Sequence, residues 1–275
     1  MRNLFVKKMQ TIDRFYEFRE RLVSDLKHVD GYLGAVEIHF LALLGAHPTA
    51  VGEVLEIGSF KGKSTIVLAK AAQLANTGRI YAVDPMFSPS VTDPEMAEGE
   101  ISLDDFRKNL AEHDCGDRVE LYQMRSKELA GLWDKPVRLL WIDGDHTYEG
   151  AKTDFDGFRD HLADGAIVAI HDVLHEFDGA LRVFMENILL SPNFGACGVV
   201  GSIGWAQFSA DKNQTLPFQD QKLVLYKKLG RLVAFVAFGK KLRGLEKKKY
   251  KLFRSRVPRR AIEPEKWLDQ IKVRI

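Results

Sequence analysis

Val54-Leu55-Glu56-Ile57-Gly58-Ser59-Phe60-Lys61-Gly62-Lys63-Ser64-Thr65 passes from an apolar run to an acid, then to two spaced glycines and the start of a helical pattern. That order reads as strand, tight turn and helix. A glycine directly after a strand lets the backbone turn with positive φ and come close to a ligand, and the helix start offers unpaired N–H groups. Glu56 discriminates between ligands. A carboxylate at the strand tip repels a pyrophosphate, whereas it attracts an ammonium and hydrogen-bonds ribose hydroxyls. The turn favours a cationic, phosphate-free nucleoside.

Arg79-Ile80-Tyr81-Ala82-Val83-Asp84-Pro85 is a second short β-type run ending in a carboxylate, with Asp84 26 positions after Gly58. An acid at the tip of the second strand can accept both ribose hydroxyls, in nicotinamide enzymes as in others. With Glu56-x-Gly58-x-x-x-Gly62-x-Ser64 the pair resembles the cofactor site of class I S-adenosylmethionine-dependent methyltransferases, in the variant where Phe60 takes the place of a middle glycine. Small-molecule O-methyltransferases of the catechol type are similar. The resemblance implies S-adenosylmethionine as cofactor, bound by Glu56, Gly58, Ser59, Phe60, Gly62, Ser64 and Asp84, with Ser126 against the adenine.

A second constellation is Leu139-Leu140-Trp141-Ile142-Asp143-Gly144-Asp145-His146-Thr147-Tyr148-Glu149, where a buried-type strand runs into ionisable residues. Its counterpart is Ala166 to Ile170 followed by His171-Asp172. If the two strands are neighbours, both clusters face one cleft. Asp143 and Asp172 are hard oxygen ligands suited to Mg²⁺ or Mn²⁺, and His171 adds a nitrogen donor. A divalent ion there would lower the pKa of a bound hydroxyl. His146 has the intrinsic pKa of a general base and equally reads as a structural histidine, while His175 reads as a surface residue.

These clusters resemble a bacterial branch of the same family that methylates sugar hydroxyls on glycans and macrolides, with cephalosporin-tailoring relatives. The resemblance covers roughly residues 50–209. It implies Asp143, His171 and Asp172 as metal ligands and His146 as the base, with Asp143 also bordering the cofactor. Catechol-type enzymes have an acid followed by an amide where this chain has His171-Asp172.

Helical spacing over 12–28 and 33–44 precedes the first strand. There follow β 53–57, α 62–75, β 79–84, α 100–113, β 118–122, a turn at 126–132, β 137–142, α 148–162, β 166–171 and α 178–190. Such alternation predicts an α/β, Rossmann-like, doubly wound and mostly parallel sheet. Residues 196–200 and 203–208 are too close for a crossover and predict a terminal antiparallel hairpin. The proline-bearing stretch 85–99 predicts a lid. The expected organisation is cover helices over 1–48, the methyltransferase domain over 49–210 and a basic helical extension over 211–275.

The composition, 45% hydrophobic and 28% charged, is that of an ordinary globular chain. Two cysteines, Cys115 and Cys197, give no disulfide framework, and the N-terminus lacks the pattern of a signal peptide, so a cytoplasmic setting is expected. The total charge of +2 hides a segregation: residues 222–275 carry 18 Lys and Arg against four acids, which leaves −12 on residues 1–221. Two readings of that tail compete. Its apolar stripe packs on the body or a second subunit of a homo-oligomer, or residues 222–260 bind an anionic membrane surface peripherally. No nucleic-acid motif accompanies the charge. The sequence thus predicts a metal-assisted O-methyltransferase acting on a sugar hydroxyl of a glycan or small molecule. The alternatives are an NAD-dependent oxidoreductase and a non-catalytic cofactor-binding subunit.

Overall fold

The computed structural model describes residues 2–87, 102–236 and 242–271. In chain order its elements are α1 (Arg2–Asp25), α2 (Ala35–Ala46), β1 (Glu53–Ile57), α3 (Lys63–Ala75), β2 (Ile80–Val83), α4 (Leu103–Glu112), β3 (Val119–Tyr122), α5 (Ser126–Ala130), β4 (Val137–Ile142) and α6 (Tyr148–Phe158). Then come β5 (Leu162–Ile170), α7 (Gly179–Val183, continued as a π-helical stretch over Phe184–Leu189), β6 (Phe194–Val200), β7 (Ile203–Phe208), α8 (Gln219–Val236), α9 (Gly244–Arg254) and α10 (Pro264–Gln270). The seven strands form one sheet in the order β3-β2-β1-β4-β5-β7-β6. The first five are parallel, and β7 runs antiparallel to both β5 and β6. The predicted fold class and terminal hairpin are therefore both present.

Side chains alternate across the sheet with the period of two that strands impose. Val54, Ile80, Ala82, Leu139, Trp141 and Ile167 point to the face covered by α1 to α4. Leu55, Ile57, Val83, Leu140, Ile142 and Val168 point to the face covered by α5 to α9. With helices on both faces, β4 is buried along its whole length, which is why its sequence is a near-continuous apolar run. Predicted boundaries shift in places: α1 starts earlier than residue 12, residues 126–130 are a short helix rather than a turn, and β5 begins at Leu162 rather than 166. Of the predicted lid, residues 88–99 lie outside the described residues.

The basic tail packs on the body. Leu225, Leu229, Leu232 and Val236 of α8 enter the core, while Leu223, Val224, Leu245 and Leu252 of the same tail remain exposed. Lys222, counted among the basic residues of the tail, is buried; its Nζ donates to the carbonyls of Ser191 (2.5 Å) and Phe194 (2.9 Å), and burial lowers its pKa. The Tyr250 hydroxyl of α9 donates to the carbonyls of Leu174 (2.5 Å) and His175 (2.8 Å), just beyond β5. The chain then reaches the opposite sheet face, where Trp267 of α10 is fully buried between Trp205 and Phe40, at centroid distances of 4.8 and 5.7 Å. Tyr16 and Arg19 of α1 donate to Glu263 at 2.9 and 3.1 Å and close this arrangement. Among the described residues no helix is long and apolar enough to cross a membrane.

Candidate active site

The carboxyl ends of β1, β2, β4 and β5 meet at one edge of the sheet, where ligands of doubly wound folds bind. The backbone bonds Asp143 N to Ile57 O (2.8 Å), Gly58 N to Val83 O (3.0 Å) and His171 N to Ile142 O (2.9 Å) carry the ladder past the strand ends and fix these tips together. Gly58 (φ +82°) and Gly62 (φ +89°) take the left-handed conformations that the turn between β1 and α3 demands. Phe60 (φ +46°), Met86 (φ +61°) and Asp172 (φ +57°) do so without being glycine, and all three stand at this edge. Backbone held in a sparsely populated region by its surroundings is characteristic of functional sites.

The turn is tied down by the two predicted acids, in different ways. Asp84 Oδ2 accepts from the backbone N–H of Ser59 (2.8 Å) and of Phe60 (2.9 Å), and its Oδ1 accepts from Met86 N (2.7 Å). Glu56 is completely buried beneath the turn, where its Oε2 accepts from Ser59 Oγ (3.1 Å) and Thr65 Oγ1 (2.5 Å) and Ser64 adds a third hydroxyl. Burial pushes its carboxyl up to about 7, against those hydrogen bonds. The electrostatic attraction expected of an exposed Glu56 carboxylate is thus not what the side chain provides. Ser59, Ser64 and Glu56 form the underside of the turn through their side chains, and Gly58, Phe60 and the half-buried Asp84 form its outer edge. Phe60 stacks on the exposed Tyr32 ring, at 6.5 Å and 22°, so the loop between α1 and α2 lies against the turn. Ser126 opens α5 and donates its hydroxyl to Asp154 at 2.5 Å.

Beyond β4 and β5, His146 Nε2 lies 3.7 Å from Asp143 Oδ1 and 3.5 Å from Asp172 Oδ2. His146 is held from outside by Phe177, whose ring stacks on it at 6.1 Å and 14°. One donor atom from each of Asp143, His146 and Asp172 lies within 4.8 Å of the others, so two carboxylates and an imidazole converge as a divalent cation needs. His171 lies deeper, also beside both carboxylates, with Nδ1 3.6 Å from Asp172 Oδ2. Its ring is 2% exposed, with Nδ1 at 2.9 Å from Asp143 Oδ1 and Nε2 at 3.7 Å from Glu37 Oε2. Burial opposes its charge, but Asp143, Glu37 and Asp172 outweigh burial and raise its pKa well above the ordinary value. The converging trio is thus made with the His146 ring, and His171 lies beneath it against Asp143. Burial would raise the Asp143 carboxyl, yet the His171 charge and the contacts with His146 and His171 hold it down at about 2. His175 is exposed in a turn, as expected. Glu37, which the sequence reading did not single out, is likewise held at about 2 by His171 and by its hydrogen bonds, against burial.

Residues 55–173 match the family model of a methyltransferase domain. The chain carries a class I methyltransferase domain. The fold agrees. Cofactor-bound Rv0187 from MTB is 20% identical with a TM-score of 0.52, over 72% of this chain and 91% of that one. The O-methyltransferase from Bacillus cereus, in complex with S-adenosylhomocysteine, is 21% identical with a TM-score of 0.50, over 72% and 90%. TomG from Streptomyces achromogenes, an O-methyltransferase of tomaymycin synthesis in complex with S-adenosylmethionine, is 20% identical with a TM-score of 0.50, over 74% and 89%. The matched residues of the methyltransferase begin in β1 and end just after Asp172, so they contain both acids of the cofactor turn and the whole donor set. The oxidoreductase alternative falls with this match. Its chemistry is S-adenosylmethionine-dependent methyl transfer, and the turn and Asp84 are the parts of the chain that fit that cofactor.

Proposed function

We propose that the methyltransferase acts on a hydroxyl oxygen, that of a sugar in a glycan or natural product, at the cleft between the Gly58 turn and His146. The observation that carries this reading is His146 Nε2 set between Asp143 and Asp172, beside the turn that fits the cofactor. The sulfonium of S-adenosylmethionine supplies an already activated methyl group. What remains for the chain is to align an oxygen with that methyl and to take its proton. A sugar hydroxyl is a poor acid, so the proton must go to a group poised near neutrality. His146 Nε2 accepts it, and the carboxylates of Asp143 and Asp172 stabilise the imidazolium that forms. The likeness of the motifs at Asp143 to Glu149 and His171-Asp172 to sugar-modifying relatives supports the acceptor class. The role of TomG in tomaymycin synthesis supports a small-molecule product.

A second reading has its own observation, the convergence of Asp143, His146 and Asp172. These three residues would hold Mg²⁺ or Mn²⁺, which supplies Lewis acidity to a hydroxyl. His146 would then be a ligand and not a base, because one ring nitrogen cannot do both. We assign Gly58, Phe60 and Asp84 to the cofactor, with Ser126 toward the adenine, and residues 211–275 to a structural extension of the same body.

The test is transfer of a labelled methyl group to a panel of glycans, macrolide sugars and phenols, with and without chelator. Label should enter a sugar oxygen, and His146→Ala should lower kcat by ~10²–10⁴-fold with S-adenosylhomocysteine affinity retained. Activity in excess chelator marks His146 as the base; activity only with added Mg²⁺ or Mn²⁺ marks the trio as a metal site. Label found only on nitrogen or carbon acceptors would overturn the hydroxyl assignment.

A further inference from the structure

Glu37 stands on the third residue of α2, in the segment that the sequence marks only as a cover for the cleft. One of its oxygens, Oε2, accepts from Gly34 N at 2.9 Å, which is ordinary capping of the helix start. A cap needs no more than this. The other oxygen, Oε1, accepts from both Ser202 N (2.8 Å) and Ser202 Oγ (2.7 Å), in the turn between β6 and β7. Those partners are 165 positions away in sequence. The turn closes directly over Glu37: a Cβ at Gly201 would stand 2.6 Å from Glu37 Cγ, and Gly201 has φ +61°.

From this carboxylate two paths lead to the two acids of the active site. On the first, Oε2 lies 3.7 Å from His171 Nε2, and the opposite nitrogen of that ring lies 2.9 Å from Asp143 Oδ1. The ring is buried, so no water competes for either side. On the second, the Ser202 hydroxyl lies 3.2 Å from Asp172 Oδ1, and Ser202 O accepts from Val173 N at 3.0 Å. Asp172 sits in the left-handed region and depends on such outside contacts to keep its conformation.

We propose that Glu37 is a positioning residue of the active site, setting Asp143 through His171 and Asp172 through Ser202, so that α2 is part of the catalytic apparatus. The proposal rests on the reading of Asp143, His146 and Asp172 as the reacting site. Glu37 touches neither cofactor nor acceptor; it fixes the separation of the two carboxylates around His146. A carboxylate is suited to this because its two oxygens accept from Gly34 and twice from Ser202 while one of them faces the His171 ring at 3.7 Å, whereas an amide offers one accepting oxygen.

The experiment compares wild type with Glu37→Gln and Ser202→Ala by three measurements: ring ¹⁵N and N–H resonances of His171, S-adenosylhomocysteine affinity by calorimetry, and Mn²⁺ affinity by paramagnetic resonance. Glu37→Gln should move the His171 ring resonances and lower Mn²⁺ affinity by about 10–100-fold, the usual effect of losing a residue that orients ligands, with the nucleoside still bound. Ser202→Ala should lower Mn²⁺ affinity and leave the His171 resonances where they are. A residue that merely caps α2 would lower the melting temperature in Glu37→Gln and leave both readouts unchanged, which overturns the proposal. If the wild type binds no Mn²⁺, the metal reading fails, and the His171 resonances then decide: moved in Glu37→Gln they uphold the positioning role, unmoved they overturn it.

Discussion

Gly58 and Asp143 touch through their backbones: a Cβ built at Gly58 would lie 2.2 Å from the Asp143 carbonyl oxygen and 2.8 Å from Gly144 Cα. The glycine that begins the turn after β1 is therefore required twice, by its φ of +82° and by the loop that carries Asp143. The close approach that a sequence reader assigns to a ligand is made here by the protein itself.

Gly58→Ala should accordingly disturb both halves of the site. The substitution forces apart β1 and β4 tips that are joined by the Asp143 N to Ile57 O bond. We expect loss of S-adenosylhomocysteine binding and a stability decrease of about 1–3 kcal/mol, the range for strain at a left-handed position. Calorimetry and urea unfolding measure the two, and a variant with wild-type affinity would show that the turn tolerates the shift.

Asp84→Ala removes the acceptor for three backbone N–H groups, those of Ser59, Phe60 and Met86. Leaving such donors unpaired costs about 1–3 kcal/mol where they are buried. The variant should lose nucleoside affinity and some stability together, whereas a residue that only touched ribose would lose affinity alone. Parallel calorimetry and thermal melting separate these outcomes.

Stability should fall with rising pH because of Asp154. Its carboxyl is pushed up from 3.8 to about 7, mainly by burial, with the Ser126 hydrogen bond opposing. Between those values the folded chain keeps a proton that the unfolded chain has released, so each pH unit of increase removes stability, at most about 1.4 kcal/mol per unit for one proton. Asp154→Asn should flatten the dependence measured by urea unfolding across that window. Glu56, pushed up to about 7 by burial, leaves a residual slope of the same sign. Identical slopes in variant and wild type would discharge Asp154 from this role.

Trp267→Ala tests whether the tail belongs to the body. The ring is fully buried against Trp205 and Phe40, on the face opposite α8 and α9. Truncating a buried aromatic costs about 3–5 kcal/mol. A chain ending near Phe208 should aggregate, since it uncovers the core contacts of Leu225, Leu229 and Leu232. A soluble truncated body with an unchanged melting temperature would return the tail to the membrane or partner readings.

The sequence by itself determined the sheet, its parallel sense, the terminal hairpin and the position of the acids at strand ends. These follow from local signals: alternating strand and helix periodicity, glycines where the backbone must turn, and carboxylates where apolar runs stop. It placed Asp143, His146, Asp172 and Asp84 at one edge for the same reason, because in a doubly wound sheet every parallel strand of the βα units delivers its last residue there. Tertiary structure alone decided what each side chain does at that edge. Glu56 lies one residue from the turn, yet it is drawn under it by the hydroxyls of Ser59 and Thr65 and by complete burial. His171 and His146 both follow strand ends in sequence, and only the fold shows His171 buried between Asp143 and Glu37, whose other partner, Ser202, is 165 residues away. The basic tail likewise shows its charge in sequence but not the sheet faces that take up its apolar side chains. Periodicity is a property of a segment, whereas burial and charge pairing belong to residues that only folding brings together.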